Sequence, residues 1–263
     1  GSSFKPFIYA MAFNKGFTDK TVVFDLKTEF QTTCDAYGRA LPGRSQSECY
    51  SPENYDGKTV GPMTLRAALA ESRNIPAVKL FYLAGLRDSL RLAEDMGIST
   101  LTDINRYGLT LVIGGGEVKL LDMTEAFGVF ANSGIRNKQT GILKIETKEG
   151  EVLEEFEADP KEVLPKNTAL TISDILSDNR ARIPTFGANS ALNVSGRKVA
   201  VKTGTTNNNK DAWTIGYTPA VAVGVWAGNN DNKPMKKGGV AMAGPIWNKF
   251  ITEALKKLPD ETF

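Results

Sequence analysis

The 263-residue chain reads as an α+β fold, a mainly helical body that carries an antiparallel sheet flanked by helices near its C-terminal end. Three observations lead there. Apolar residues recur at helical spacing through the first two thirds, three strand-like runs succeed one another between residues 198 and 227, and a further helical pattern closes the chain. A content of 41% hydrophobic and 24% charged residues suits a globular chain long enough to bury a core. With no repeats and no long low-complexity tract, one domain over residues 1–263 is the economical division.

Phe4 to Phe17 is an apolar helix opening, and Pro6 is tolerated because its missing N–H falls among the unpaired donors of the first turn. An irregular polar region through Gly61 contains both cysteines. Thr64 is a good N-cap for a helix over Thr64–Glu71, and Pro76 suits the first turn of another over Ala77–Leu83. Leu109–Ile113 and Val221–Trp226, the longest apolar runs, fall far short of the roughly 18 residues of a membrane helix and are expected as core strands. Leu120–Asn132 is helical and stopped by Ser133-Gly134. Gly141–Glu155 alternates around Glu149-Gly150 as a surface hairpin, and Lys166–Leu176 is helical. Lys198–Lys202, Ala212–Tyr217 and Ala220–Ala227 read as the three strands, rich in Val, Thr, Trp and Tyr. A polar loop and a helix from about Pro245 to Leu258 complete the chain.

Composition excludes several kinds of chemistry. Lys and Arg total 32 and Asp and Glu 30, a net charge of +2, too balanced for a nucleic-acid binder. There is no histidine, hence no Ser-His-Asp or Cys-His machinery and no HExxH metalloprotease helix. Two cysteines cannot form a four-cysteine zinc site. If the chain is a hydrolase or transferase, lysine is the leading candidate base. Cys34 and Cys49 flank a turn-rich stretch whose closure by a bridge would contribute about 3 kcal/mol; two free thiols of a cytosolic chain fit equally at this point.

Ser-x-x-Lys places a lysine amine near a serine hydroxyl on one helix face, and the lysine is a competent base only once burial or a second cation lowers its pKa. The pattern alone says little, because it occurs twice. Ser195-Gly-Arg-Lys198 has Gly196 in its middle and leads into a strand, which suits a hairpin turn, whereas Ser2-Ser-Phe-Lys5 leads into an apolar helix. Gly1-Ser2-Ser3 also has the look of a tag remnant. Lys202-Thr203-Gly204-Thr205 ends a strand, where glycine admits a close backbone or ligand, the hydroxyls suit a carboxylate and Lys202 supplies charge. Ser-x-Asn also occurs twice. Ser177-Asp178-Asn179 lies 25 residues before Lys202 at a helix end, where such residues are ordinary stops. Ser72-Arg73-Asn74, 70 residues after Ser2 and 130 before Lys202, leaves room for a helical lobe and is preferred.

The ordered set Ser-x-x-Lys, Ser-x-Asn, Lys-Thr-Gly resembles the transpeptidase domain of penicillin-binding proteins. GSSFKPF, YSPENYDGKTVGPMTLRAALAESRNIPAV, FGVFANSG, ILSDNRAR, VAVKTGTTNNNKDAWTIGYTP and VWAGNNDN all resemble the bifunctional class A members, so the likeness covers nearly the whole chain. In that frame Ser177-Asp178-Asn179 is a helix-end segment, and Phe4-Lys5-Pro6-Phe7 continues the family pattern, which removes the tag reading. The resemblance implies a β-lactamase/transpeptidase-like fold with an all-helical lobe. It implies that Ser2 attacks the carbonyl between the terminal D-alanines of a peptidoglycan stem peptide while Lys5, kept neutral by desolvation and Lys202, takes its proton. Ser72, helped by Lys202, would relay the proton to the departing D-alanine, and Asn74 would hold the peptide amide. Thr203 and Thr205, beside Gly204, would bind the carboxylate, and the Ser2 and Thr205 N–H groups would form the oxyanion hole. An amine from a second stem peptide would resolve the acyl-enzyme, and β-lactams would acylate Ser2. No metal or organic cofactor and no nucleic acid enter this scheme.

The resemblance also implies strands, a glycosyltransferase domain and a membrane anchor upstream of Gly1, so the chain is expected to be an incomplete domain with an unpaired edge at Val221–Ala227. It implies an extracytoplasmic site at the bacterial membrane, which favours a Cys34–Cys49 disulfide. Among rivals, a class A β-lactamase would need a Glu-x-x-Leu-Asn segment that the chain lacks, and a class D enzyme has valine where Asn74 stands. A D,D-carboxypeptidase differs only in using water as acceptor. A β-lactam sensor would be expected to resemble the class D enzymes, and a dead scaffold would not keep Ser2, Lys5, Ser72, Asn74, Lys202 and Gly204 intact.

Overall fold

The computed structural model describes residues 1–263, the side chain of Ile104 excepted. The chain opens with a 3-10 turn at Ser2–Phe4 that runs directly into α1 (Lys5–Asn14). Phe7, Ile8, Tyr9, Ala10 and Ala12 of α1 are all fully buried. A helix apolar on every side belongs in the middle of a protein, and α1 is packed against the later helices of the lobe: α2 (Leu65–Ala70), α3 (Asn74–Ala84), α4 (Leu86–Asp95) and α6 (Lys166–Ser177). α5 (Leu120–Ala131) links this lobe to the sheet. Phe127 and Phe130 pack on Phe7 from one side and on Tyr217 of the sheet from the other, at ring separations of 5.6–6.4 Å.

Between α1 and α2 the expected irregular region is organised by a pair of antiparallel strands, β1 (Val22–Asp25) and β2 (Gly61–Thr64). The loop they carry is closed by the Cys34–Cys49 disulfide. Two minor sheets lie beyond α5: β3 (Ile135–Arg136) pairs with β6 (Lys161–Glu162), and β4 (Lys144–Glu146) pairs with β5 (Val152–Glu155) as the surface hairpin expected there. α6 stops at Ser177, and Asp178 caps α7 (Asn179–Phe186) by accepting from the Ala181 N–H at 3.0 Å.

The main sheet has the order β7-β8-β9, antiparallel throughout: β7 (Ala200–Thr205), β8 (Asp211–Thr218) and β9 (Val221–Gly228). Among the described residues β9 pairs with β8 alone, an edge of the kind the family resemblance implied. α8 (Gly239–Leu255) lies across the opposite face, where Trp247 is fully buried and donates its indole N–H to Val223 O at 3.1 Å.

Several boundaries differ from those the sequence suggests. Leu109–Ile113 is a 3-10 helix rather than a core strand, with Leu111 and Val112 buried among helices; a short apolar run has no periodicity that separates the two outcomes. The first helix ends at Asn14, three residues early. α3 begins at Asn74 instead of Ala77, and α8 begins six residues before Pro245. α7 carries Pro184 inside it, a residue that argues against a helix and here costs one backbone bond in a short segment.

Gly216 of β8 faces Trp247. A Cβ there would lie 2.7 Å from Ala200 O and 3.0 Å from Trp247 Cε2, so the sheet accepts the indole only because position 216 has no side chain. Gly216→Ala is therefore expected to cost about 1–3 kcal/mol by overpacking, seen as a drop in the melting temperature; an unchanged melt would show that the α8 contact relaxes freely.

Candidate active site

The nucleophile candidate sits on the opening turn, whose Phe4 N–H donates to Gly1 O at 3.1 Å. Ser2 lines a cavity of about 800 Å³ together with Ser72, Asn74, Thr203 and Thr205. Lys5, one turn on, is fully buried at the floor beneath it. Its ammonium donates to Ser72 O at 2.6 Å, to Asn74 Oδ1 at 2.7 Å and, at 3.5 Å, to Ser72 Oγ. Among the described residues Ser2 Oγ has no hydrogen-bond partner, so Lys5 is turned to the second motif rather than to the hydroxyl expected to give it a proton.

Ser72 owes its place to the way α2 ends. The Ser72 N–H bonds back to Leu69 O at 3.1 Å and the Arg73 N–H to Ala68 O at 3.0 Å, the paired bonds of a Schellman stop. Such a stop needs a left-handed residue, ordinarily glycine, and Ser72 takes that role with φ +60°. An L-residue there costs roughly 1 kcal/mol or more, which the site accepts to keep a hydroxyl at the turn.

Asn74 then begins α3, and here the structure supplies a device the motif does not contain. Arg73, in the N-cap position, offers no side-chain acceptor. The buried Asn54, from the β1–β2 connection five residues beyond the disulfide, accepts from the N–H groups of Asn74 at 2.8 Å and Ile75 at 3.2 Å, capping the helix from a distance. Its Nδ2 donates to Asp25 Oδ1 at 2.7 Å and to Lys58 O at 2.8 Å. Arg73 ties the same elements together. Its guanidinium reaches buried Asp25 at 2.9 Å, Asp56 at 2.9 Å and Lys58 O at 2.6 Å.

β7 brings the third motif. Alternation along the strand turns Ala200, Lys202 and Gly204 toward the helical lobe and Thr203 and Thr205 the other way, toward the cavity and α8. Lys202 Nζ donates to Ser72 Oγ at 2.7 Å and to Thr203 O at 2.9 Å. Gly204 lies against the opening turn, where an added Cβ would meet Ser3 Oγ at 2.9 Å; a Cβ on Gly1 would sit 2.9 Å from Thr205 N. These two glycines let β7 and the turn touch, drawing together the backbones that carry the Ser2 and Thr205 N–H groups. Thr205 Oγ1 accepts from Gly239 N–H at 2.8 Å and keeps its own proton to donate.

Burial governs the charge states. It holds Lys5 well below the ordinary lysine value, with the Lys202 charge and then Arg73 adding to the effect. Burial likewise brings Lys202 down to about 7, helped by the cation of Arg182 on α7. Arg182 is itself buried, lowered to about 10, and donates to Leu176 O at 2.5 Å. The only grouping of metal-ligand residue types among the described residues is Glu29 with Cys34 and Cys49. Its sulfurs are consumed in the disulfide and Glu29 accepts from Phe30, Gln31, Tyr50 and Ser51, so it offers no free ligand set.

Every residue singled out from the sequence therefore converges on one cavity or its floor, while both decoys lie elsewhere. Ser177–Asn179 joins two helices, and Ser195–Lys198 is a turn whose Lys198 pairs with Asp174 at 3.3 Å. Sequence reasoning passed over Asn54, Asp25 and Arg182. A signal existed for the first, because a helix opening with arginine at its cap leaves donors that some other residue must satisfy.

A serine at a cavity mouth with two buried lysines converging on a second serine is an arrangement suited to acyl transfer without histidine. The model of the penicillin binding protein transpeptidase domain matches residues 1–252, and the chain belongs to that family. It is 37% identical over its whole length to penicillin-binding protein 1A of Aquifex aeolicus and 32% identical over 98% of it to that of Neisseria lactamica. The chain spans about a third of the length of these relatives, 34% and 32%. Among solved structures, penicillin-binding protein 1A of Haemophilus influenzae superposes with a TM-score of 0.83 at 25% identity, covering all of this chain and 43% of that one. PonA1 of Mycobacterium tuberculosis in complex with penicillin V superposes at 0.78 and 26% identity, over all of this chain and 70% of that one.

The strained turn gives a direct check. Ser72→Ala and Ser72→Gly both remove the hydroxyl, but only glycine relieves the left-handed conformation, so the glycine variant should be more stable by about 1 kcal/mol in denaturant melts. Equal stability would mean that the turn relaxes out of that conformation.

Proposed function

We propose that this chain is a serine D,D-transpeptidase that cross-links peptidoglycan stem peptides and is acylated by β-lactams. One observation carries the reading: Lys5 and Lys202 meet on Ser72 Oγ beneath a cavity onto which Ser2 opens. Family membership and the penicillin complex of a relative support it.

Ser2 Oγ attacks the carbonyl between the terminal D-alanines and its proton passes to Lys5, which burial favours in the neutral form. The C–N bond then breaks, and the leaving D-alanine nitrogen takes a proton from Ser72, whose hydroxyl is resupplied through the lysine hydrogen-bonded to it. The N–H groups of Ser2 and Thr205 bind the carbonyl oxygen as it becomes negative. Thr203 and Thr205 hold the substrate carboxylate, Gly204 lets the strand approach the nucleophile turn, and Asn74 holds the peptide amide. An amine of a second stem peptide attacks the Ser2 ester, forming the cross-link and returning the serine its proton. This chemistry belongs on the extracytoplasmic side of a bacterial membrane, where the disulfide is at home. Residues 1–263 act in it as the transpeptidase domain of a longer anchored protein, whose further strands cover the edge of β9; the length of the relatives and that free edge support this.

Incubation with penicillin, intact-mass measurement and peptide mapping test the assignment. A long-lived adduct on Ser2, absent from Ser2→Ala, is expected; a folded protein that forms no adduct would overturn the role of Ser2. The pH profile tests the base. Loss of the Lys202 charge removes one of the influences holding Lys5 down, so Lys202→Ala should shift the acylation profile toward alkaline pH. An unshifted profile would remove Lys5 as the titrating base.

A further inference from the structure

The cavity over Ser2 and Ser72 is electrically divided. Glu71 is the only carboxylate among its lining side chains and Lys237 the only cation. Neither side chain makes a hydrogen bond or ion pair among the described residues. Glu71 is the C-cap residue of α2, directly before Ser72, its N–H bonded to Ala67 O at 2.8 Å, so the same turn that orients Ser72 fixes it. The cations around it are already spent. Arg73 is committed to Asp25, Asp56 and Lys58 O, Lys5 to Ser72 and Asn74, and Lys202 to Ser72 and Thr203. Partial burial raises the Glu71 carboxyl above its ordinary value, Arg73 opposing this and the charges of Asp25 and Asp56 adding to it. An unpaired, partly desolvated carboxylate facing a substrate cavity favours a cation delivered by the ligand.

We propose that Glu71 forms a subsite for a primary ammonium group on the peptide substrate, so that the cavity prefers stem peptides with a free amino side chain over those in which it is acylated. The inference rests on the transpeptidase reading and adds a feature of the substrate to it. The ammonium group belongs either to the side chain of the donor peptide or to the incoming acceptor, and the two are distinguishable because they enter at different steps.

The test uses two synthetic peptides ending in D-Ala-D-Ala, one with lysine at the third position and one with Nε-acetyl-lysine. Acyl-enzyme formation by each is followed by intact mass, with competent sites counted by penicillin. In the donor arm the intact protein should acylate about 3- to 10-fold faster with the free amine. Glu71→Gln should bring that ratio close to one and Glu71→Lys should invert it. In the acceptor arm an acyl-enzyme formed from the acetylated peptide is offered an amine-bearing peptide, and Glu71→Gln should lower the ratio of aminolysis to hydrolysis by a similar factor. A change in either arm supports the subsite and assigns the source of the amine. Rate ratios that are the same in the intact protein and in Glu71→Gln in both arms would overturn it. Each ratio is taken within one variant, so a smaller folded fraction does not move it, and the intact protein alone refutes the donor form if it does not distinguish the peptides. Absence of any penicillin adduct in the intact protein would instead bring down the assignment of the nucleophile on which the inference stands.

Discussion

The burial of two lysine ammonium groups around one serine hydroxyl is the constraint that the rest of the molecule answers to. Lys5 and Lys202 come from segments nearly two hundred residues apart, and both are fully enclosed while touching Ser72. Bringing Lys202 from 10.5 to about 7 corresponds to roughly 5 kcal/mol of disfavoured charge. The sign fixes where this is felt. Below about pH 7 the folded and unfolded states both carry the proton and the whole cost stands. Between about 7 and 10.5 the unfolded state binds the proton and the folded state does not, so stability rises with pH. At neutral pH the fold therefore bears a large part of that cost.

Such a cost is sustained only by a rigid surround, and the surround can be traced outward from Ser72. The α2 stop places its hydroxyl, the distant cap from Asn54 fixes the start of α3, and Arg73 with Asp25 locks both to β1. A buried ion pair of this kind is a weak source of net stability but a strong fixer of register, since displacing either partner strands a charge. The Cys34–Cys49 bridge cross-links the same β1–β2 connection that carries Asn54, and there Glu29 gathers four donors. The segment that looks in sequence like an irregular insertion is thus the outer brace of the turn that carries Ser72.

How much of this is legible in the sequence depends on the range of the interactions. The three strands, the decoy turn at Ser195–Lys198, the helix stop at Ser177 and the order of the motifs depend on local spacing and are readable. Ser-x-x-Lys alone is not decisive, because its second copy differs only in a glycine and in leading into a strand instead of a helix. Leu109–Ile113 misleads because a five-residue, mostly apolar run carries no period, and β1 and β2 escape notice because their partners are some forty residues apart. Asn54, Asp25 and Arg182 each act on a residue in another element rather than on a neighbour, and nothing beside them in the sequence marks a helix N-terminus, a buried arginine or a depressed lysine. The direction of Lys5 is also beyond sequence reasoning. The motif puts it near Ser2, yet the fold turns it to Ser72 and Asn74.

That last point bears on how the site can work without histidine. An imidazole has two nitrogens and can hold an orienting bond with one while exchanging a proton through the other. An ammonium has no such division, so its orientation must come from acceptors placed around it. Here Ser72 O and Asn74 Oδ1 supply them, and a second lysine shares the Ser72 hydroxyl. In the proposed mechanism two amines joined through one hydroxyl would recover between them what the imidazole does alone, a proton entering at one end and leaving at the other while the orienting bonds stay in place. The arrangement requires the hydroxyl to sit where two elements of distant sequence meet, and the left-handed turn at the end of α2 puts it there, at a position where glycine would have been the cheaper choice.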